Sequence, residues 1–477
     1  FGRGEWAVRS VPALFGLAGV LFAYAAGRLL YGRMAGLVSA VILGTSLLYF
    51  ALSRILILDM VVSVFMAAAL FCFILGVREK PGARRRLLFY GLYACAALAT
   101  LAKGLIGLML PGAVMFLWLL VFNQWKRLLP FYLFTGAALF LAIAAPWHIL
   151  AAQRNEDWAW FYFIREHWLR FTTSTHSRYQ PWWFFVPIVV LGFAPWTGYA
   201  WTAIKESLPG AWSRRKAEAD TWFLVLWAVF IFFFFSRSQS KLIPYILPLF
   251  PAIAVLLGAW ITRVLDAGSI KRMRAGLVFH AGFGIVLGLA IAVLCIKPML
   301  IRDGDLIETA RPLAIATSIV LLAGAVIPWW VARLRGARAA FLAQALSFAA
   351  FFVCTAILYP AFQHRVTKDL AEQFNARAGA SDLVYHYRCF AHDFLFYTGR
   401  LAGTVSHADE LELELIPETE RKQRFIEEAE FRRQWEGDRR VWIVARRSEA
   451  ERLFADSSFR YHLIASNRLY TLLSNRP

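Results

Sequence analysis

Twelve long apolar stretches separated by short loops, with lysine and arginine crowded into every second loop, restrict this chain to a polytopic helical membrane protein. The stretches run 10–28, 34–52, 60–77, 87–101, 104–122, 128–146, 183–203, 221–236, 242–262, 275–296, 313–332 and 339–360. Most approach the ~20 residues a helix needs to cross the hydrocarbon core. One set of loops holds Arg28 and Arg33; Arg78, Lys80 and Arg84 to Arg86; Lys126 and Arg127; Lys205 and Arg214 to Lys216; Arg263, Lys271, Arg272 and Arg274; and Arg333, Arg335 and Arg338. The positive-inside tendency assigns this set to the cytoplasm, which puts the alternate loops and residues 362–477 on the far side.

The net charge of +20 follows the same division. Residues 362–477 contain 18 Lys plus Arg and 18 Asp plus Glu, so the whole excess belongs to the membrane part. Topology-setting loops facing anionic lipid account for it, and no nucleic-acid partner is needed. Cys72, Cys95, Cys295 and Cys354 fall inside apolar stretches and Cys389 stands alone in the tail, which leaves no disulfide framework and no CxxC metal motif.

Three segments depart from plain spans. Residues 147–182 are too long and polar for a turn yet carry Trp147, Trp158, Trp160, Trp168 and Trp182, a mixture that suits short helices at the membrane surface. Residues 236–245 place Arg237, Lys241 and Tyr245 at an outer mouth between two spans. The tail is expected to be a small α/β domain, with strand-like runs at 382–388, 441–446 and 461–473 and a charged helix over 418–436.

Ionisable residues at the outer edge are the candidates for chemistry, because a charge beside hydrocarbon persists where it is paired, hydrated or in use. Asp59 opens the third span, where it could cap the helix, pair with Arg54 or act as a functional acid. Lys103, in an outer turn ending at Gly104, reads either as a snorkelling anchor or as a ligand. His167 and Arg170 lie three apart on one helical face and can converge on an anion. Arg170, Arg178, Arg237 and Lys241 form an outward cationic cluster, suited to a phosphate head with a lipid tail or to nonspecific lipid headgroups.

In order along the chain, Arg54 to Asp59, Ala102-Lys103-Gly104, Pro146-Trp147, Glu166-His167-x-x-Arg170-Phe171, His176, Pro181-Trp182-Trp183, Pro195-Trp196 and Ser240-Lys241-Leu-x-Pro244-Tyr245-x-Leu-Pro248 resemble the bacterial ArnT-like glycosyltransferases. These belong to the protein O-mannosyltransferase-like superfamily with the GT-C fold. The resemblance implies an integral enzyme of the bacterial inner membrane that moves a sugar from undecaprenyl phosphate, or a similar lipid carrier, to a periplasmic acceptor such as lipid A or another envelope glycan. It implies a GT-C domain over 1–361, including an interfacial segment at 147–182, and a periplasmic domain over 362–477. It also implies about thirteen spans in the complete protein, with a leading Asp-Glu pair and a Glu/Asp-Lys-Pro motif ahead of Phe1, so this chain alone is expected to lack a complete active site.

By the same resemblance Asp59 is the second catalytic acid, Arg170 and Tyr245 hold the donor phosphate, and Glu166 with His167 contact a divalent metal or the active site. Lys103, Lys241, Arg54 and His176 join the substrate-binding set, and no nucleotide or organic cofactor is expected. The chemistry is coherent: a lipid-phosphate leaving group needs fixed positive charge as its bond breaks, and the acceptor needs an acidic residue as base or orienter. A secondary transporter, or a polysaccharide ligase or polymerase of another membrane fold, is the alternative. A transporter predicts internal repeats and helices broken near mid-membrane, whereas here the ionisable residues gather at outer ends.

Overall fold

The computed structural model describes residues 4–155, 157–169, 180–207, 215–298, 308, 310–358, 367–407, 416 and 418–477, with the side chains of 166–168 and 207 outside that description. Two compact units result: Phe1–Arg302 with Arg311–Thr355, and Asp303–Ala310 with Ala356–Pro477.

The first unit is helical. Its opening elements are α1 (Glu5–Tyr31), α2 (Arg33–Gly44), α3 (Leu47–Leu52), α4 (Asp59–Gly76), α5 (Ala83–Lys103), α6 (Ile106–Phe122), α7 (Trp125–Leu128) and α8 (Leu133–Arg154). Helices at Phe185–Gly192, Ala200–Ser207, Ala219–Arg237, Phe250–Asp266, Ile270–Ile296 and Arg311–Leu358 follow. Each predicted apolar stretch falls on helix, but not every stretch is one straight span. Among the described residues seven helices are long and apolar enough to cross a membrane, or eight when Phe185–Gly192 and Thr197–Glu206, bent by 104°, are taken together. The 34–52 stretch is split between α2 and α3, and the last two stretches form one 48-residue helix interrupted at Gly336, whose φ of 81° no ordinary helical residue adopts.

The two broken stretches satisfy each other. The Leu47 amide donates to the Ala194 carbonyl at 3.0 Å, and the Trp196 indole N–H donates to the Thr45 hydroxyl at 3.0 Å. The Tyr199 hydroxyl donates to Gln344 at 2.6 Å, whose amide reaches the Pro195 carbonyl. Interrupted backbone beside hydrocarbon needs such partners, and here uncharged groups supply them.

α4 is the buried centre, with Met60, Met66, Ala67, Ala69, Leu70, Phe73 and Ile74 fully enclosed. Its alanines let neighbouring backbones approach closely, as membrane helices require in the absence of a hydrophobic drive between them. At one end of the bundle, loops carrying the basic residues meet. Arg78 and Arg127 both pair with Asp220, Arg272 pairs with Glu206, and Arg338 with Asp266. Arg85 is buried there, its guanidinium donating to the carbonyls of Pro130, Glu79, Arg127 and Leu128. The alternation read from the sequence therefore sorts these loops onto a common end.

The second unit is an α/β domain with a six-stranded sheet ordered β3-β2-β1-β4-β6-β5. Its strands are β1 (Leu383–Tyr387), β2 (Gly403–Val405), β3 (Phe425–Ile426), β4 (Val441–Arg446), β5 (His462–Ser466) and β6 (Tyr470–Ser474). β1, β2, β3 and β4 pair in parallel, and β6 runs antiparallel to β4 and β5. The 461–473 run proves to be the β5–β6 hairpin, turned at Asn467, whose side chain accepts from the amides of Leu469 and Tyr470. The expected 418–436 helix is divided by β3 into Glu418–Arg424 and Glu428–Trp435. Tyr385 and Tyr387 face the Phe431–Trp435 core on one side of the sheet, while Val384 faces Phe374 and Phe394 on the other.

Candidate active site

Three of the residues singled out by the sequence meet at one end of the first unit. Asp59 is the first residue of α4, where a carboxylate suits the positive end of the helix. Lys103 ends α5 because Gly104, at φ 94°, turns the chain out of the helix while its amide still reaches the Thr100 carbonyl at 2.7 Å. Gly107 then lets α6 fold back against α5, since a β-carbon there would lie 2.4 Å from the Ala99 carbonyl carbon. Lys103 is thus carried on the tip of a tight helical hairpin beside Asp59.

The Lys103 ammonium forms an ion pair with the Asp59 carboxylate and lies 4.7 Å from the centre of the Tyr245 ring. Their side chains are 25% and 14% exposed respectively, so the pair is shielded from bulk water without being sealed from it. Tyr245 sits in a 3-10 turn, Ile243–Leu249, whose backbone is restricted by Pro244 and Pro248. Phe235 supports its ring at a centroid distance of 5.5 Å.

Lys241, expected as a substrate ligand, makes a backbone contact. It is 5% exposed, and its ammonium donates to the Gln180 carbonyl at 2.7 Å. Burial holds this amine below the usual lysine range. Lys241 therefore ties the loop ahead of Tyr245 to the chain entering the Phe185–Gly192 helix. Arg54 does not pair with Asp59. It is exposed, with its guanidinium 4.6 Å from the Phe50 ring centre. Nor is Asp59 an N-cap, because Leu58 occupies that position and makes no side-chain cap.

Arg170 and His176 lie outside the described residues, as do the side chains of Glu166 and His167. The segment expected to hold short interfacial helices is described in part. α8 continues through Trp147 to Arg154, and a π-helix occupies Trp160–Leu169. His148 links the two, with one ring nitrogen 2.8 Å from the Ala144 carbonyl and the other 3.1 Å from the Tyr162 hydroxyl. Trp158 stacks on Tyr162 at 4.7 Å. The sequence reading passed over His148, although its place directly after Pro146-Trp147 was the available signal.

The expected divalent metal rests on Glu166 and His167. Among the described residues no group of three or more His, Cys, Asp or Glu side chains is arranged to hold a metal ion, and the Asp59 carboxylate already faces an ammonium.

The sequence profile of the family described as Dolichyl-phosphate-mannose-protein mannosyltransferase matches residues 1–150. The fold matches the crystal structure of ArnT from Cupriavidus metallidurans bound to undecaprenyl phosphate with a TM-score of 0.85, at 25% identity, covering 99% of this chain and 84% of that one. The chain is similar to ArnT in sequence and in fold.

Two curated relatives are named undecaprenyl phosphate-alpha-4-amino-4-deoxy-L-arabinose arabinosyl transferase. The relative from Pectobacterium carotovorum subsp. carotovorum is 31% identical over 306 residues, 63% of this ArnT-like chain and 52% of the relative. That from Aeromonas salmonicida is 30% identical over 328 residues, 68% and 58% of the two chains. The ArnT-like chain thus spans about half the length of the curated relatives it matches. The apo structure of the Cupriavidus protein matches with a TM-score of 0.83.

Proposed function

We propose that this chain belongs to a glycosyltransferase that takes a sugar from undecaprenyl phosphate, or a similar lipid carrier, and attaches it to lipid A or another envelope glycan at the periplasmic face of the inner membrane. The observation that carries the proposal is the convergence of Asp59, Lys103 and Tyr245 at one helical end, in a fold that matches an undecaprenyl phosphate-bound protein along nearly its whole length. Acid, ammonium and aromatic ring suit the two needs of the reaction. Lys103, and Arg170 by resemblance, offer positive charge to the departing lipid phosphate. Asp59 accepts or orients the proton of the acceptor group. Tyr245 borders the phosphate position and supports Lys103 through its ring face. Lys241 acts by fixing the loop that carries Tyr245.

The test is a comparison of envelope lipids from a deletion strain and its parent, with transfer from a polyisoprenyl phosphate sugar measured on the purified full-length protein. Loss of one sugar from lipid A or another glycan, restored by the gene, is expected. Unchanged envelope glycans together with no transfer would overturn the proposal.

A further inference from the structure

We infer that Lys103 is a charge switch: Asp59 holds its ammonium until the lipid carrier's phosphate draws it away, so that Asp59 is released for the acceptor only after the donor has bound. This rests on the donor phosphate binding beside Tyr245, as proposed above.

One ammonium position serves two neighbours at once. Lys103 meets the Asp59 carboxylate and, from the same position, lies 4.7 Å from the centre of the Tyr245 ring. An aromatic face attracts a cation without supplying a counter-charge, so the ring can keep hold of the ammonium while its anionic partner changes. Lysine suits the task because its charge sits at the end of a flexible four-carbon stem, whereas an arginine fork would be committed to one planar partner.

Energetics decide which ligand can work the switch. With the side chains only 25% and 14% exposed, separating the pair leaves the Asp59 carboxylate a poorly hydrated charge and so a stronger base. An uncharged lipid offers Lys103 nothing in exchange. A phosphate replaces one anion by another at the same ammonium, and the pairing lost at Asp59 is recovered at the donor. The ligand thereby gains the differential interaction that any population shift requires.

The consequence is an order of events. While Lys103 pairs with the Asp59 carboxylate, the ammonium's charge lowers its basicity toward the acceptor's proton. Once Lys103 turns to the phosphate, it stabilises the leaving group and exposes the base in the same movement. Donor first and acceptor second is the order this arrangement favours.

Zero-length carbodiimide cross-linking of the full-length protein reads the pair directly, because an Asp59–Lys103 amide forms only while carboxylate and amine are in contact. The amide, identified by mass spectrometry, is expected in the free protein. Its yield should fall several-fold at saturating undecaprenyl phosphate and stay unchanged with undecaprenol, which has the same tail and no charge. Binding is followed separately by tryptophan fluorescence. If undecaprenyl phosphate binds and the yield does not change, the switch is wrong while the proposed function stands. Equal suppression by undecaprenol, or no amide in the free protein, also overturns the switch. Failure of undecaprenyl phosphate to bind would remove both readings.

Discussion

Asp59 meets Lys103, 44 residues further along the chain, rather than Arg54 five residues before it. The choice follows from where the helices end: α4 begins with Asp59 and α5 ends with Lys103, while Arg54 turns to Phe50. Asp59→Asn keeps the shape and removes the charge. In the full-length protein it is expected to lower turnover by roughly 10²–10⁴-fold, the range typical of acid–base groups. The Michaelis constant for the donor should not rise, since the Asp59 charge no longer competes with the phosphate for the Lys103 ammonium. Steady-state transfer kinetics check this, and wild-type rates would reduce Asp59 to a structural partner of Lys103.

Gly107→Ala tests the hairpin that carries Lys103. A β-carbon at Gly107 meets the backbone of Ala99 and Thr100, whereas one at Gly112 on the same helix meets nothing within 4 Å. The first substitution is expected to destabilise the protein by about 1–3 kcal/mol, the usual range for overpacking, and to reduce transfer. Gly112→Ala should leave both unchanged. Thermal unfolding in detergent separates the two.

His386 makes the second unit acid-sensitive. It is fully buried, neither ring nitrogen has a hydrogen-bond partner, and its ring packs edge-on against Phe390 and Phe394. Burial, with smaller contributions from His392 and His407, pushes its pKa down to about 4. The unfolded chain takes up a proton near pH 6.5 and the folded one does not, so stability is full above that value and falls as pH drops toward about 4. The loss is on the order of 3 kcal/mol across that window. His386→Phe should flatten the dependence. Hydrogen exchange of β1 at pH 7 and pH 5 in the full-length protein measures it.

Orientation is tested by fusing a reporter after Pro477. The loop charges assign residues 362–477 to the periplasm, so a reporter that works only there should be active, and one that works only in the cytoplasm should be silent. The reverse result would invert the topology.

Helical elements along the first unit and an α/β tail were legible in the sequence because both announce themselves locally, through apolar length in one case and strand-like periodicity in the other. The alternation of basic loops was equally local, and the Arg78, Arg127 and Asp220 contacts join loops that it assigned to one side. Asp59, Lys103 and Tyr245 were recognisable as candidates from residue type, position and family resemblance. What the sequence could not decide was their partners. Whether Asp59 faces Arg54 or Lys103, and whether Lys241 faces a ligand or the Gln180 carbonyl, depends on how helix ends are brought together. The breaks at Thr45 and Ala194–Trp196 share this character, since each is tolerable only because the other supplies its hydrogen-bond partners. β2 and β3 were missed because strands of three and two residues carry too little periodicity to register, and they exist by pairing with neighbours distant in sequence. Local pattern fixes an element when its own burial drives it; tertiary structure decides wherever a polar group must choose among partners far along the chain.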